Sequence, residues 1–348
     1  MKKALISTFI FCLGFLSPQL AAFAQRSYQT IPLPLEIASV NEEFSGLSSH
    51  KGRLYLIPQY GSYKETKLEG IFNIYSILTD SITRVIEGKD KQLTAFKTIK
   101  VKNLALLPDE IKSGYEGFEA ITFIGDEVYL SIETHDDKDY CYLIKGILNT
   151  KLGTIEIDAV NFMRLARYPY VENAGYEALT YLPEKKKLLA IYEYNAMHNG
   201  GIGYLIDPSF KKAPEKIDIP FLPFRITDIQ IDAQGTIYGI NYFWNGDYKA
   251  YLDNEMFRNA EKEISKTIPD LKAELTQNGD YLKKKTTSYS RIVRLSATGK
   301  KQWEAVRSFP SDKNNWEGMV LFRKGALVIS DANRSDKQVT TLAYFDFK

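Results

Sequence analysis

Five short phrases in this chain place an oxygen-bearing side chain in front of a small residue and an apolar one: Ser45-Gly46-Leu47, Glu119-Ala120-Ile121, Glu177-Ala178-Leu179, Asp228-Ile229-Gln230 and Glu317-Gly318-Met319. The fourth is the loosest, with Ile229 where the others have Gly or Ala. Each opens an apolar run; a turn and a second apolar run follow, ending 13 to 16 residues later on Gln59, Glu133, Glu193, Asn241 or Asp331. Four carboxylates and a hydroxyl gathered in one place would repel one another, and burying them unpaired is costly unless a cation sits among them. Oxygen donors of this kind suit Ca2+, which takes several oxygens in flexible geometry. None of the three histidines falls on these positions, so the pattern does not fit zinc. The competing reading is that the acids cap hairpins or pair with lysines, as acids at turns often do.

What could gather the five is a repeat, because one supersecondary unit recurring along a chain places equivalent residues equivalently. Period-two alternation and turn signals supply four strand-like runs per unit. The first unit reads 44–49, 53–59, 71–78 and 93–101; the second 118–124, 127–133, 140–148 and 154–163; the third 177–182, 188–194, 203–207 and 216–219. The fourth begins at 227–231 and 236–241 and resumes at 290–296 and 302–309. Between them, about 247–287, Phe257, Ala260, Ile264, Ile268, Leu271 and Leu275 are spaced by three or four, which predicts a helical insertion broken at Pro269. The fifth unit has 318–322, 326–331 and 340–347 and is one strand short. Residues 28–35, whose prolines suit an edge strand, are the candidate to complete it. The expectation is an all-β, five-bladed β-propeller of four-stranded blades, closed by the N-terminal strand. The first strand of each blade would then line the channel and set Ser45, Glu119, Glu177, Asp228 and Glu317 in a ring as metal ligands. Tyr115-Glu116-Gly117 offers a rival register in the second unit, but Glu119 stands 14 residues before Glu133, as Glu317 does before Asp331.

Lys2 and Lys3, an apolar stretch to about Leu16 and Ala22-Phe23-Ala24 have the three parts of a secretory signal peptide, which assigns residues 1–24 to export and 25–348 to a single propeller domain. The apolar stretch is shorter than the roughly 20 residues of a spanning helix, so no transmembrane segment is expected after cleavage. Processing takes two lysines and no acid, leaving basic and acidic side chains equal in number. A nucleic-acid partner would call for a basic excess on one face. Only Cys141 would remain after cleavage, so no intrachain disulfide is expected.

Residues just beyond the second strands should reach one mouth of the channel. His135, Arg225 and Arg334 are the candidates for catalysis there, and Tyr60, Asn195, His198, Trp244 and Asn333 for ligand contact. Cationic, aromatic and imidazole groups above a metal suit a small anionic substrate or a glycan. No G-x-S-x-G nucleophile elbow is present.

Asn315-Trp316-Glu317-Gly318-Met319-Val320-Leu321 followed by Ala326-Leu327-Val328-Ile329-Ser330-Asp331, and Tyr176-Glu177-Ala178-Leu179 followed by Leu189-Ala190-Ile191-Tyr192-Glu193, resemble a pattern of the phytase-like (esterase-like) and SdiA-regulated propeller proteins. The order Ser, Glu, Glu, Asp, Glu is also similar to that of the calcium-activated nucleotidases (apyrases), five-bladed propellers with Ca2+ in a central ring of Ser and Glu oxygens. Asp228 departs from that order, where a Ser is expected. The resemblance implies an exported, Ca2+-dependent hydrolase of phosphate esters or anhydrides. The alternative from another class is a non-catalytic propeller that binds a glycan, peptide or protein partner around a structural Ca2+.

Overall fold

The computed structural model describes residues 28–38, 42–61, 68, 72–167, 171, 173–195, 200–222, 224–244, 288–296, 302–309, 314–332 and 340–348. The signal segment 1–24, the helical insertion at 247–287, and His198, Asn333 and Arg334 lie outside the described residues.

The chain closes on itself through its first described strand. β1 (Gln29–Ile31) joins a fifth blade begun by strands near the C-terminus, and its partners are Tyr344, Ala343 and Leu342. Blade 1 comprises β2 (Phe44–His50), β3 (Arg53–Pro58), β4 (Phe72–Leu78) and β5 (Lys97–Lys102). Blade 2 comprises β6 (Tyr115–Ile124), β7 (Glu127–Thr134), β8 (Tyr140–Asn149) and β9 (Thr154–Ala166). Blade 3 is β10 (Ala178–Leu182), β11 (Lys187–Ile191), β12 (Gly201–Ile206) and β13 (Glu215–Ile219). Blade 4 is β14 (Arg225–Ile231), β15 (Ile237–Trp244), β16 (Ser288–Leu295) and β17 (Trp303–Ser308). Blade 5 is β18 (Asn315–Phe322), β19 (Gly325–Asp331), β20 (Leu342–Asp346) and β1. Within each blade the neighbours are antiparallel; the outer strands of blades 1 and 2 also pair in parallel, Lys100 with Thr154, so those two blades share one eight-stranded sheet.

The burial pattern follows from position in the blade. Inner strands such as β19 are buried at every residue because both faces meet neighbouring blades, and they read as continuous apolar runs. Outer β5, Lys-Thr-Ile-Lys-Val-Lys, buries only Ile99 and Val101. Five core clusters join adjacent blades. Ile57 and Ile74 of blade 1 meet Phe118 and Leu130 of blade 2, and Tyr129 and Leu143 meet Leu179 and Leu188 of blade 3. Ala178 and Ile191 meet Ile226 and Val293, Ile240 and Ile292 meet Val328 and Phe345, and Leu327 and Ile329 return to Leu47 and Leu54. Burying one such aliphatic side chain is worth about 1.5–3 kcal/mol, so the ring is held by many interfaces of similar kind.

The small residue of the repeated phrase now has a cause. A Cβ on Gly318 would lie 2.8 Å from the backbone carbon of Gly46 and from the nitrogen of Leu47, and one on Gly46 would lie 3.0 Å from the carbonyl oxygen of Glu119. Inner strands of successive blades approach backbone to backbone at this level. Short helical segments depart from the sequence expectation, and the longest among the described residues, α1 (Thr79–Ile86), occupies the segment after β4, burying Ile82 and Val85 beside Ile31 and Leu93. Ile82, Val85 and Ile86 are at helical spacing, and Gly88, with φ of 70°, follows the helix end. Gly318→Ala is expected to lower stability by about 1–3 kcal/mol in equilibrium urea unfolding, because the added carbon meets backbone on the next blade; an unchanged midpoint would contradict this packing.

Candidate metal centre

Backbone register determines which side chains reach the axis. In four inner strands the pairing with the second strand slips, between Phe44 and Gly46, Phe118 and Ala120, Ile226 and Asp228, and Trp316 and Gly318. A bulge leaves its extra residue out of the ladder and re-aims its side chain. The residues in these slips are Ser45, Glu119, Thr227 and Glu317. Ala178 pairs with Ile191 as Gly46 pairs with Ile57 and Ala120 with Ser131, so Glu177, just before β10, holds the same place in blade 3.

Blade 4 is therefore displaced by one residue from the sequence assignment. Thr227 occupies the ring position, and its hydroxyl lies 3.4 Å from the Trp316 carbonyl oxygen, to which it donates. Ser45 does the same in blade 1, donating to the Phe118 carbonyl oxygen at 2.8 Å. Each hydroxyl thus ties its blade to the residue before the next blade's Glu. Asp228 instead occupies the small residue's place. Its two oxygens accept the N–H groups of Ile229 and Met319, both at 2.7 Å, and the N–H of Leu47 also bonds it. Its carboxylate fastens the inner strands of blades 4, 5 and 1. Burial raises its pKa well above the usual range, and those N–H bonds offset part of the rise. The second-strand register shifts too: Tyr242, paired with Arg225, stands where Glu133 and Asp331 stand, and Asn241 faces Ile226.

Among the described residues, Glu119, Glu133 and Glu177 bring one carboxylate oxygen each to within 4.8 Å of one another. The sequence reading placed Glu119 and Glu177 among the ligands but gave Glu133 only as the end of a second strand; its position 14 residues after Glu119 was the available signal. Glu119 and Glu133 are buried, and Glu177 is partly exposed to the channel. Glu119 Oε1 accepts a hydrogen bond from Gln59 Nε2 at 2.9 Å. Glu133 Oε1 is fully buried and has no hydrogen-bond partner among the described residues. Burial pushes the Glu119 carboxyl up to about 8; the Gln59 bond opposes this, and the charges of Glu317, Glu193 and Asp331 add to it. Glu133, Glu177 and Glu317 are also raised well above the ordinary value, by burial first and by neighbouring carboxylates second. Such oxygen-only, mutually repelling donors with an unsatisfied lone pair match what a hard divalent cation requires.

Cationic groups at the site are engaged. Arg225 Nη1 lies 2.8 Å from Glu193 Oε1 and also donates to the Asn173 carbonyl, while the Gly175 N–H bonds the same Glu193 oxygen at 2.9 Å. Arg167, which the sequence did not single out, is almost fully buried; it donates to the Thr134 and His135 carbonyls at 2.8 Å and pairs with Asp136 at 2.9 Å. His135 itself is 54% exposed, with Nδ1 3.4 Å from Glu116 Oε2. Asn195 is buried and donates to the Tyr192 and Glu193 carbonyls, so it shapes the strand end. Tyr60 stands edge-on to Tyr115, and Trp244 ends β15.

Two outcomes follow. A carboxyl whose folded pKa exceeds its unfolded value holds its proton more tightly in the native chain, so its contribution to stability is full below the unfolded pKa and is lost as pH rises through the folded one. In chelator, the melting temperature should fall as pH rises from about 4.5 to about 8, and Glu119→Gln should flatten that fall; a rise over this window would contradict the site's electrostatics. Asp228→Ala should cost about 1–3 kcal/mol in urea unfolding through the orphaned N–H groups, yet leave any Ca2+-induced rise in melting temperature intact. Loss of that rise in a folded variant would return Asp228 to the ligand set.

No protein-family model matches the chain. No curated protein matches its sequence. Solved structures share its fold at low identity. An exo-β-1,3-galactanase from Phanerochaete chrysosporium, solved with β-1,3-galactotriose, is similar at 8% identity and a TM-score of 0.50, covering 92% of this chain and 64% of that one. A GH43 β-xylosidase/α-arabinofuranosidase from a compost microbial metagenome, in complex with xylotriose and in a calcium-free form, is 10% identical, with a TM-score of 0.48 and coverage of 92% and 94%. A GH43_1 enzyme from Xanthomonas citri is 9% identical, with a TM-score of 0.47 and coverage of 92% and 90%. These neighbours overturn the resemblance to phytase-like, SdiA-regulated and nucleotidase propellers, since the similar structures are mainly glycoside hydrolases. The motifs that carried it are short, and the bulge and close inner-strand packing account for their acid-small-apolar order without a shared ancestry. The chain is a five-bladed β-propeller, a fold it shares with the exo-β-1,3-galactanase.

Proposed function

We propose that this propeller binds a Ca2+ ion at its axis through Glu119, Glu133 and Glu177, and that it is a hydrolase acting on a glycan held at the channel mouth. The observation that carries the reading is the Glu133 Oε1 atom, buried without a hydrogen-bond partner among the described residues and converging with two other carboxylates. The donor set is oxygen only, which favours Ca2+ over softer ions. When bound, such an ion would orient sugar hydroxyls and polarise a water or glycosidic oxygen.

The chain's own groups do the rest. Glu177, partly open to the channel, is the ligand that faces an incoming molecule. His135 follows Glu133 by two residues and sets Nδ1 3.4 Å from Glu116 Oε2, an imidazole–carboxylate pair able to move a proton at the mouth. Arg225 orients Glu193. Export through residues 1–24, with 25–348 as one domain, belongs to the same proposal. Extracellular calcium modules work at roughly 10⁻⁴–10⁻³ M, the concentration range of exported compartments. The glycan class is taken by analogy from the solved propellers of this fold. A second reading, a non-catalytic module with an enclosed structural ion, is favoured by the burial of Glu119 and Glu133. Among the described residues no helix is long and apolar enough to cross a membrane.

Purified protein should melt higher with millimolar Ca2+ than with chelator, by about 2.7 kcal/mol of added stability at a hundredfold excess over Kd, and Glu133→Gln should abolish most of this gain. Reducing-sugar release from a panel of β-linked oligosaccharides should require Ca2+ and fall at least tenfold in His135→Ala. A Ca2+-dependent melt without turnover of any oligosaccharide would select the binding module. Identical melts in Ca2+ and chelator would overturn the centre itself.

A further inference from the structure

The axial carboxylates are not equivalent, and the cause is a single guanidinium. Glu193 is buried, and its charge acts first on Glu177 and also on Glu119, Glu133 and Glu317. Yet the converging trio contains Glu119, Glu133 and Glu177 and omits Glu193. Glu193 Oε1 is drawn away by two donors, Arg225 Nη1 at 2.8 Å and the Gly175 N–H at 2.9 Å.

Arg225 is anchored from the neighbouring blade. It stands at the start of β14, and its backbone forms an isolated bridge with Tyr194, next in chain to Glu193. The Ile226 N–H bonds the Glu193 carbonyl at 2.9 Å. The same guanidinium donates to the Asn173 carbonyl, four residues before Glu177. One side chain from blade 4 therefore fixes both the blade-3 carboxylate that stays out of the trio and the segment that delivers the one that enters it. Its side chain is 9% exposed and that of Glu193 1%, so the pairing is screened from water and its geometry is firm.

We propose that Arg225 is a positioning residue of the axial centre: by holding Glu193 it limits the ion's protein ligands to three carboxylates and keeps coordination positions open for water or substrate. This rests on the reading of the axis as a cation site. A hard ion of calcium's size takes six to eight oxygens, so three carboxylates leave room that a fourth would occupy. An open shell is what separates an ion able to meet substrate from one sealed in protein.

Terbium(III), a calcium-sized luminescent ion, provides the readout, because its decay times in H2O and D2O count the waters bound to it. Wild type should bind Tb3+ and retain several inner-sphere waters. Arg225→Gln should release Glu193 into the shell, lose about one bound water and bind Tb3+ more tightly. Arg225→Lys, which keeps a cation beside Glu193, should resemble wild type, and the double variant Arg225→Gln/Glu193→Gln should regain the wild-type count. Should Arg225→Gln fail to fold, Glu193→Gln alone decides: an unchanged water count supports the proposal, and a gained water, showing Glu193 to be a ligand already, overturns it. A folded Arg225→Gln variant with the wild-type water count also overturns it. No Tb3+ binding to wild type would instead remove the cation centre on which it rests.

Discussion

Like charge brought together at the axis of a closed ring is the constraint on which the rest of this structure depends. A propeller repeats one strand position around its channel, so an acid at that position in several blades must face the others. Three glutamate oxygens lie within 4.8 Å, and burial together with mutual repulsion holds their carboxyls far above ordinary values. Two arginines answer part of this charge, Arg225 through Glu193 and Arg167 through its field on Glu133. Neither reaches Glu133 Oε1, which has no hydrogen-bond partner among the described residues. A divalent ion would satisfy the oxygens and the charge in one step.

The fold supplies the precision that such a cluster needs. Bulges in the inner strands turn Ser45, Glu119, Thr227 and Glu317 out of their ladders, and the glycines after Ser45 and Glu317 let adjacent blades close to backbone contact. The two hydroxyl members of the ring spend their protons on the next blade's carbonyl, and Asp228 fastens three inner strands through backbone N–H groups. Polar atoms at the axis are thus divided between those that lock the ring and the carboxylates that converge on one another.

Most of the fold was legible because propeller strands have strong local signatures. The four runs per blade, the turns and the closing strand at residues 28–35, observed as β1, all appear in the alternation and turn residues of the chain. Helix α1 was missed because its eight residues carry only Ile82, Val85 and Ile86 as a periodic signal, easily read as part of a long loop. The ring was legible in blades 1, 2, 3 and 5, where a small residue marks the register. In blade 4 that marker is replaced by Asp228, and an acid in the place of a glycine drew the assignment one residue too far along. The spacing from Glu119 marked Glu133 as a strand end but not as a ligand, because its meeting with Glu177, like the Arg225–Glu193 pair, is a contact between blades that no local pattern encodes.

The central claim is that the axis is a cation site with Glu119, Glu133 and Glu177 as its protein ligands. Anomalous diffraction from a crystal grown with Tb3+ in place of Ca2+ tests it most directly. The expected result is one strong peak on the axis, about 2.3–2.6 Å from an oxygen of each of the three glutamates, with Asp228 outside its shell. An axis without a peak, its carboxyls protonated and hydrogen-bonded to one another or to water, would contradict the account.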